Sequence, residues 1–116
     1  MKVEDIAKLL EAELIVSSEH NSHNGELLKG FASDLMSDVL TLEQEGILLI
    51  TGLCNNQTIR TAEMANIGTI LFVRKKMPTE EMIELAQENN INLLRCEYSM
   101  FKTIGILYSN GMEAVY

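Results

Sequence analysis

The stretch GILLITGLCNNQTIRTAEMANIGTILFVR, residues 46–74, contains two kinds of hydrophobic pattern that together indicate the fold. Its ends, GILLIT and GTILFVR, are almost continuously apolar, which is typical of strands covered on both faces of a sheet. Between them QTIRTAEMANI has helical spacing, with a mostly small inner stripe of Ile59, Ala62 and Ala65. The stretch therefore predicts two parallel strands joined by a helix, with a right-handed crossover.

The segments on either side extend this pattern. Pro78 and Thr79 open a predicted helix, TEEMIELAQENN, and INLLRC follows as a third strand. SMFKTIGILYSNG is predicted as a last helix that starts at Ser99 and stops near Gly111. Upstream, the sequence predicts a helix over residues 3–12, the short strands ELIVSS and LLKGFAS, and a helix DLMSDVLTLEQE starting at Ser33–Asp34.

These elements predict an α/β fold, a three-layer sandwich with a mainly parallel sheet. We expect the strands of the first half to join one side of the sheet, with a helix packed against it. A chain of 116 residues is expected to form a single domain, residues 1–116. A domain of this size buries a modest core, so self-association would add to its stability.

Charge and composition narrow the functional classes. The formal net charge is −8, with 17 acidic and 9 basic residues, and the only basic cluster is Arg74-Lys75-Lys76. This disfavours nucleic acid as a partner, because phosphate backbones require clustered Lys and Arg. No signal peptide and no apolar run of about 20 residues is apparent, so no membrane association is expected. Cys54 and Cys96 are too few for a disulfide framework, which predicts a cytoplasmic protein with reduced thiols.

The loop between the first two predicted buried strands is the best candidate ligand site. Loops at the carboxyl ends of parallel strands, leading into a helix N-terminus, are where open α/β sheets bind ligands, anions in particular. The candidate residues are Gly52, Cys54, Asn55, Asn56, Gln57 and Thr58. However, TGLCNNQT has neither of the standard glycine fingerprints for phosphate, and Asn55, Asn56 and Thr58 are also ordinary capping residues. A plain helix cap therefore remains the alternative.

Three other groups of residues have weaker signals for chemistry. Cys54 lies near a helix N-terminus, which can lower a thiol pKa, but it is equally a small half-buried side chain. His20 and His23 have a His-x-x-His spacing on a polar loop, which is short of the four ligands of structural zinc. Asp34 and Asp38 are four residues apart and would share a helix face, where paired carboxylates bind Mg²⁺ or transfer protons. We predict no catalytic site, no metal site and no cofactor from these patterns.

The last predicted helix carries apolar residues around most of its circumference. A helix of a soluble protein that lacks a polar face needs a second surface to cover it. One face can pack on the sheet, and the other then needs a partner, for which a homodimer is the simplest source. The predicted dimer interface consists of Met100, Phe101, Ile104, Leu107 and Tyr108.

The order GFASDLMSDVL, then residues 46–96, then YSMFKTIGILY resembles the DRTGG domain family, which is similar to the N-terminal domain of HPr kinase/phosphorylase. The resemblance implies the fold of the HPr kinase/phosphorylase N-terminal domain. It also implies a regulatory or assembly module without established activity of its own. It aligns the family's Asp-Arg-Thr-Gly-Gly stretch with Gly52 to Thr58. This chain has Leu53-Cys54-Asn55-Asn56 where an Asp-Arg pair is expected, so a ligand role of that pair does not transfer. The P-loop of HPr kinase belongs to another domain.

Three functional hypotheses follow. The sequence favours a non-catalytic regulatory or ligand-sensing module that acts as a homodimer and binds a small anionic or nucleotide ligand at residues 52–58. The alternative is a protein-interaction subunit that docks on a metabolic or redox enzyme complex through the same apolar surface. The third is a small enzyme that uses Cys54 or the Asp34 and Asp38 pair.

Overall fold

A computed structural model describes residues 1–18 and 26–116, and the predicted turn with His20 and His23 lies outside these residues. The helices are α1 (Val3–Leu10), α2 (Met36–Val39), α3 (Asn56–Met64), α4 (Glu80–Glu88) and α5 (Met100–Ser109). The strands are β1 (Glu13–Val16), β2 (Lys29–Ala32), β3 (Ile47–Thr51), β4 (Thr69–Phe72), β5 (Asn92–Arg95) and β6 (Glu113–Ala114). The predicted alternation of strands and helices from β3 to α5 is confirmed.

The described strands form one sheet in the order β1-β5-β4-β3-β2-β6. All neighbouring strands are parallel except β1, which runs antiparallel to β5 and places Leu14 opposite Leu94. The prediction that the first-half strands join one side of the sheet was wrong, because β1 lies at the β5 edge and β2 lies beside β3. The apolar strand patterns indicate coverage by helices but carry no information about which neighbours pair.

The sheet separates two cores, as the three-layer prediction requires. Ile47 and Leu49 of β3 point into the core formed with α2, α3 and α4. Leu48 and Ile50 point into the opposite core, which is formed with α1 and α5. All five residues of β3 are buried, since successive side chains of a strand point to opposite faces and both faces are covered by helices.

The helix predicted from Asp34 to Glu45 is much shorter in the structure. α2 contains only Met36–Val39, and its N-cap residue, Leu35, offers no side-chain hydrogen bond. At its end the Thr41 hydroxyl donates to the carbonyl of Asp38 at 2.7 Å, a side-chain bond of the kind that competes with helix continuation. Asp34 and Asp38 therefore do not share a helix face, and that prediction was wrong.

Three helix starts agree with the predicted caps. The side chains of Asn55, Thr79 and Ser99 each accept a hydrogen bond from the backbone N–H three residues later. Such caps satisfy N–H groups that have no partner within the helix, so they define where α3, α4 and α5 begin. The two-residue strand β6 was not predicted, because a strand of that length leaves no readable pattern.

Candidate functional site

The loop after β3 is connected to the end of β2 through the carboxylate of Asp34. Asp34 Oδ1 accepts hydrogen bonds from the Thr51 hydroxyl at 2.8 Å and from the Gly52 N–H at 2.7 Å. The same hydroxyl oxygen of Thr51 accepts from the N–H of Leu53 at 3.1 Å. The hydrogen bonds of Asp34 therefore fix the direction in which the chain leaves β3. Asp34 does not act as one half of a carboxylate pair.

The first turn of α3 uses two of the predicted ligand-binding residues for its own structure. Asn55 Oδ1 accepts from the Thr58 N–H at 3.1 Å, and the Thr58 hydroxyl donates to the carbonyl of Leu53 at 2.6 Å. Asn56 differs, since its side-chain oxygen is buried and has no hydrogen-bond partner among the described residues. Gln57 is exposed. The capping interpretation thus accounts for Asn55 and Thr58 but leaves Asn56 and Gln57 without a structural role.

Positive charge reaches this loop from the neighbouring strands. Burial raises the pKa of the Cys54 thiol, and the charges of Lys76 and Arg95 lower it in part. A nearby cation stabilises a thiolate, so both side chains lie close enough to act on the loop electrostatically. The sequence showed the cluster at residues 74–76 but not that the charges of Lys76 and Arg95 act on Cys54, because that depends on the order of the strands.

The loop after β4 is held over the end of β5 by backbone hydrogen bonds. Arg74 and Lys75 adopt left-handed φ angles of 61° and 64°, and their N–H groups donate to the carbonyls of Tyr98 and Cys96. The guanidinium of Arg95 donates to the carbonyls of Lys75 and Lys76 at 3.1 Å each. Left-handed conformations are unfavourable for residues other than glycine, so these contacts keep the basic loop in a defined position.

The neighbouring strands β4 and β5 are followed by helices on opposite faces of the sheet. The helix after β4 is α4, which packs in the core with α2 and α3, whereas the helix after β5 is α5, which packs with α1. In open α/β sheets a ligand crevice forms at such a switch, outside the carboxyl ends of the strands. Lys76 and Arg95 lie at this switch, and the Gly52–Thr58 loop lies beside it.

The other predicted chemical groups do not assemble into a site. Cys54 packs against the core with α3, whereas Cys96 lies in the opposite core and contacts the Thr103 hydroxyl at 3.5 Å. Both are free thiols. Within residues 1–18 and 26–116, no three His, Cys, Asp or Glu side chains are arranged to hold a metal ion. In the same ranges, no helix is long and apolar enough to cross a membrane.

The predicted dimer residues on α5 differ in their exposure. Phe101 is 91% exposed, Tyr108 is 69% exposed and Ile104 is 37% exposed. Met100 is half-buried, and Leu107 is only 2% exposed because it belongs to the core with α1. Leu107 therefore lies beneath the surface of the helix, and the exposed apolar part consists of Phe101, Ile104 and Tyr108, which we call the α5 stripe.

A cleft of about 140 Å³ lies between α5 and the β2–β6 side of the sheet. Its wall on the helix side is formed by Ile104, Leu107 and Tyr108. Its strand side includes Gly30 and Ala32, and the side chain of Met112 lies over Gly30. Two residues of the α5 stripe, Ile104 and Tyr108, therefore also line this cleft.

These features define a three-layer α/β domain with a ligand-type edge at the carboxyl ends of its strands and an apolar outer helix. The DRTGG domain model matches residues 5–109, and the chain belongs to the DRTGG domain family. This confirms the family and the fold expected from the resemblance.

Two known proteins show further similarity. One is a crystal structure of the CBS and DRTGG domains of the regulatory region of Clostridium perfringens pyrophosphatase, complexed with its activator diadenosine tetraphosphate. It matches this chain with a TM-score of 0.77 and 19% sequence identity, and the match covers 91% of this chain and 45% of that chain. Arabinosyltransferase RRA1 of Arabidopsis thaliana is 31% identical over 106 residues, which are 85% of this chain and 25% of the relative. This chain thus spans about a quarter of the plant relative and under half of the solved chain.

Replacing Asp34 tests whether its hydrogen bonds stabilise the loop after β3. In Asp34→Ala the buried Thr51 hydroxyl and the Gly52 N–H lose their acceptor, so we expect the free energy of unfolding to fall by about 1–2 kcal/mol. The matched control is Asp38→Ala, for which we expect a change within about 0.5 kcal/mol. Urea denaturation followed by circular dichroism measures the free energy of unfolding of both variants. Equal losses of stability in the two would show that the Asp34 hydrogen bonds do not stabilise the loop.

The reactivity of Cys54 tests the positive charge at the loop. Removing the charge in Lys76→Gln should raise the pKa of Cys54 further, so its alkylation rate should rise only at higher pH than in the wild type. Lys29→Gln is the matched control, since Lys29 starts β2 at the opposite end of the parallel strands. Iodoacetamide labelling, resolved by peptide mass spectrometry, measures the profile. An unchanged profile in Lys76→Gln would show that Lys76 does not act on this loop.

Proposed function

We propose that this chain is a single-domain, non-catalytic regulatory module, residues 1–116, that binds a small anionic ligand, a nucleotide or polyphosphate, at the Gly52–Thr58 loop. The observation that carries the proposal is the action of Lys76 and Arg95 on Cys54 within that loop. In a chain of net charge −8, the exposed Lys76 and the partly paired Arg95 provide a local source of positive charge beside this loop.

The first turn of α3 supplies the hydrogen-bond donors for such a ligand. The first N–H groups of a helix have no intrahelical partner, and they favour phosphate together with the helix dipole. The Thr58 N–H is already used by Asn55, so the donors that remain are the N–H groups of Asn56 and Gln57. Lys76, which is exposed, then pairs with the outer phosphate oxygens. Arg95 already donates to two carbonyls and pairs with the Glu13 carboxylate at 3.4 Å, so only part of its charge is left for a ligand.

The solved neighbour supports this class of ligand. Its regulatory region, which contains a DRTGG domain, is complexed with diadenosine tetraphosphate, a polyanionic nucleotide. At 19% identity the likeness carries over the fold but not the site. The ligand class proposed for this chain therefore rests on its own charges and on the free donors of α3.

The chemistry of the loop argues against the enzyme hypothesis. Burial raises the pKa of Cys54, and a thiol that is protonated at neutral pH is a weak nucleophile. The carboxylate of Asp34 is engaged by Thr51 and Gly52. A transferase activity like that named for the plant relative is not carried over, because three quarters of that protein lie outside the match. We further propose a cytoplasmic location, in which free thiols such as Cys54 and Cys96 stay reduced.

A thermal-shift series tests ligand binding. With ATP, diadenosine tetraphosphate and inorganic triphosphate as probes, a ligand at about 100 times its Kd adds about 2.7 kcal/mol, which raises Tm by several degrees. Lys76→Gln should reduce this rise strongly, and Lys29→Gln should retain it. A flat Tm for the wild type with all three probes would overturn the proposed ligand class. An equal rise in both variants would move the site away from Lys76.

We also propose that the module is a homodimer that associates through the α5 stripe, since three exposed apolar side chains on one helix disfavour a monomer. Sedimentation velocity at micromolar concentration should give the mass of two chains. A single species of one chain would reject the homodimer. The apolar helix would then fit the alternative, an interaction subunit that docks on a different protein.

A further inference from the structure

The α5 stripe and the cleft beside it are complementary to each other. Phe101 projects from the first turn of α5 with 91% of its surface exposed. The cleft beside the second half of the same helix, along Ile104, Leu107 and Tyr108, has a volume of about 140 Å³ and mostly apolar walls. An apolar cavity of about 150 Å³ is known to accommodate one benzene molecule. The cleft therefore has the size and chemistry of a receptor for one aromatic ring.

Within one chain Phe101 does not line this cleft, and its side chain is exposed instead. Phe101 lies in the first turn of the helix, whereas Leu107 and Tyr108, which line the cleft, lie near its end. Six to seven residues of α-helix separate them by about 10 Å along the axis. A second chain whose α5 runs antiparallel to the first removes this separation. With the two-fold axis near Ile104 and Gly105, Phe101 of each copy lies opposite Tyr108 of the other.

Gly105 provides an independent indication of close approach at that position. A glycine inside a helix is unfavourable relative to alanine. At Gly105 a built Cβ would meet no atom of the described chain within 4 Å, so packing within the chain does not require a glycine there. The close approach of a second backbone does explain it, because an absent side chain lets two helices come together.

The charges of α5 are compatible with self-association. The helix carries no Asp or Glu, although the chain has 17 acidic residues, and Lys102 is its only charged residue. The ammonium group of Lys102 lies 4.0 Å from the centre of the Tyr98 ring, away from the stripe. Helix α5 itself therefore adds no carboxylate repulsion between two acidic copies, and Glu113, which lines the cleft, is an acidic residue that lies beside it.

We propose that two copies of this chain pair through antiparallel α5 helices that cross at Gly105, with Phe101 of each copy inserted into the cleft of the other. The proposal rests on the proposed homodimer and specifies its geometry. Such an interface is isologous, since each copy supplies the same ring and the same cleft, and it closes at two chains. The contact between Phe101 and Tyr108 would add an aromatic pair to the buried apolar surface.

Two variants break the contact from opposite sides. Phe101→Ala removes the ring, and Ala114→Phe fills the cleft from the exposed residue Ala114 on β6. Neither changes a buried residue, so thermal denaturation should show both variants folded. In sedimentation, each alone should dimerise at least about tenfold more weakly than the wild type. A wild-type dimer that both variants leave intact would overturn this geometry without affecting the homodimer.

Mixing the two variants gives a sharper result. Phe101→Ala keeps an open cleft and Ala114→Phe keeps the ring, so a mixed dimer retains one of the two contacts while each pure dimer has none. Native mass spectrometry of a mixture, with one variant carrying a mass tag, should show an excess of the mixed dimer. A purely statistical distribution of the three dimers would contradict the insertion of Phe101 of one copy into the cleft of the other.

Cross-linking tests the direction of the helices. In a Cys54→Ser background, Gly105→Cys places a thiol near the proposed two-fold axis, and mild oxidation should link two chains. Ser109→Cys is the matched control, one turn further on. In the antiparallel arrangement its two thiols are separated by about 13 Å along the axis, beyond disulfide reach. Cross-linking of both variants would indicate parallel helices, and cross-linking of neither would reject the crossing point.

Discussion

The burial of β3 on both of its faces is the constraint on which the rest of the fold depends. Its five residues, Ile47–Thr51, are all buried, and they alternate between the two cores. Neither face of a strand this apolar can be left to water, so helices must cover both, and the chain between β3 and β4 has to form one of them. The position of the Gly52–Thr58 loop follows directly. A parallel crossover must leave the carboxyl end of β3 and enter the first turn of α3 there.

The elements from β3 to α5 were predictable because local patterns determine them. Continuous apolar runs indicate β3, β4 and β5, and the side chains of Asn55, Thr79 and Ser99 define where the helices begin. The same kind of reasoning failed for α2, because a Ser-Asp pair suggests a cap when read locally. In the folded chain the Asp34 carboxylate binds Thr51 and Gly52 instead. Local propensity was overridden by a partner that is distant in sequence.

The candidate site was only half predictable for a related reason. Residues 52–58 lie on one continuous loop, so their position at a strand end could be read from the chain. Lys76 and Arg95 follow or end two other strands, and they reach the loop only because β4 lies beside β3 and β5 lies beside β4 in the sheet. Strand order is decided by which edges pair in three dimensions, and a single sequence contains no direct signal for it.

The carboxyl edge of the sheet and the surface of α5 depend on different kinds of interaction. The carboxyl edge carries the cations Lys76 and Arg95 together with the carboxylates of Asp34 and Glu13, and interactions between such exposed charges are weakened by salt. Helix α5 contains no acidic residue, and the burial of its exposed apolar side chains in the proposed dimer would not be screened by salt. Because α5 begins directly after β5, its first turn is covalently close to Arg95. A ligand that reorders the end of β5 would therefore act on the start of the helix that carries Phe101. The chain between Arg95 and Met100 therefore connects the proposed ligand loop with the proposed dimer interface.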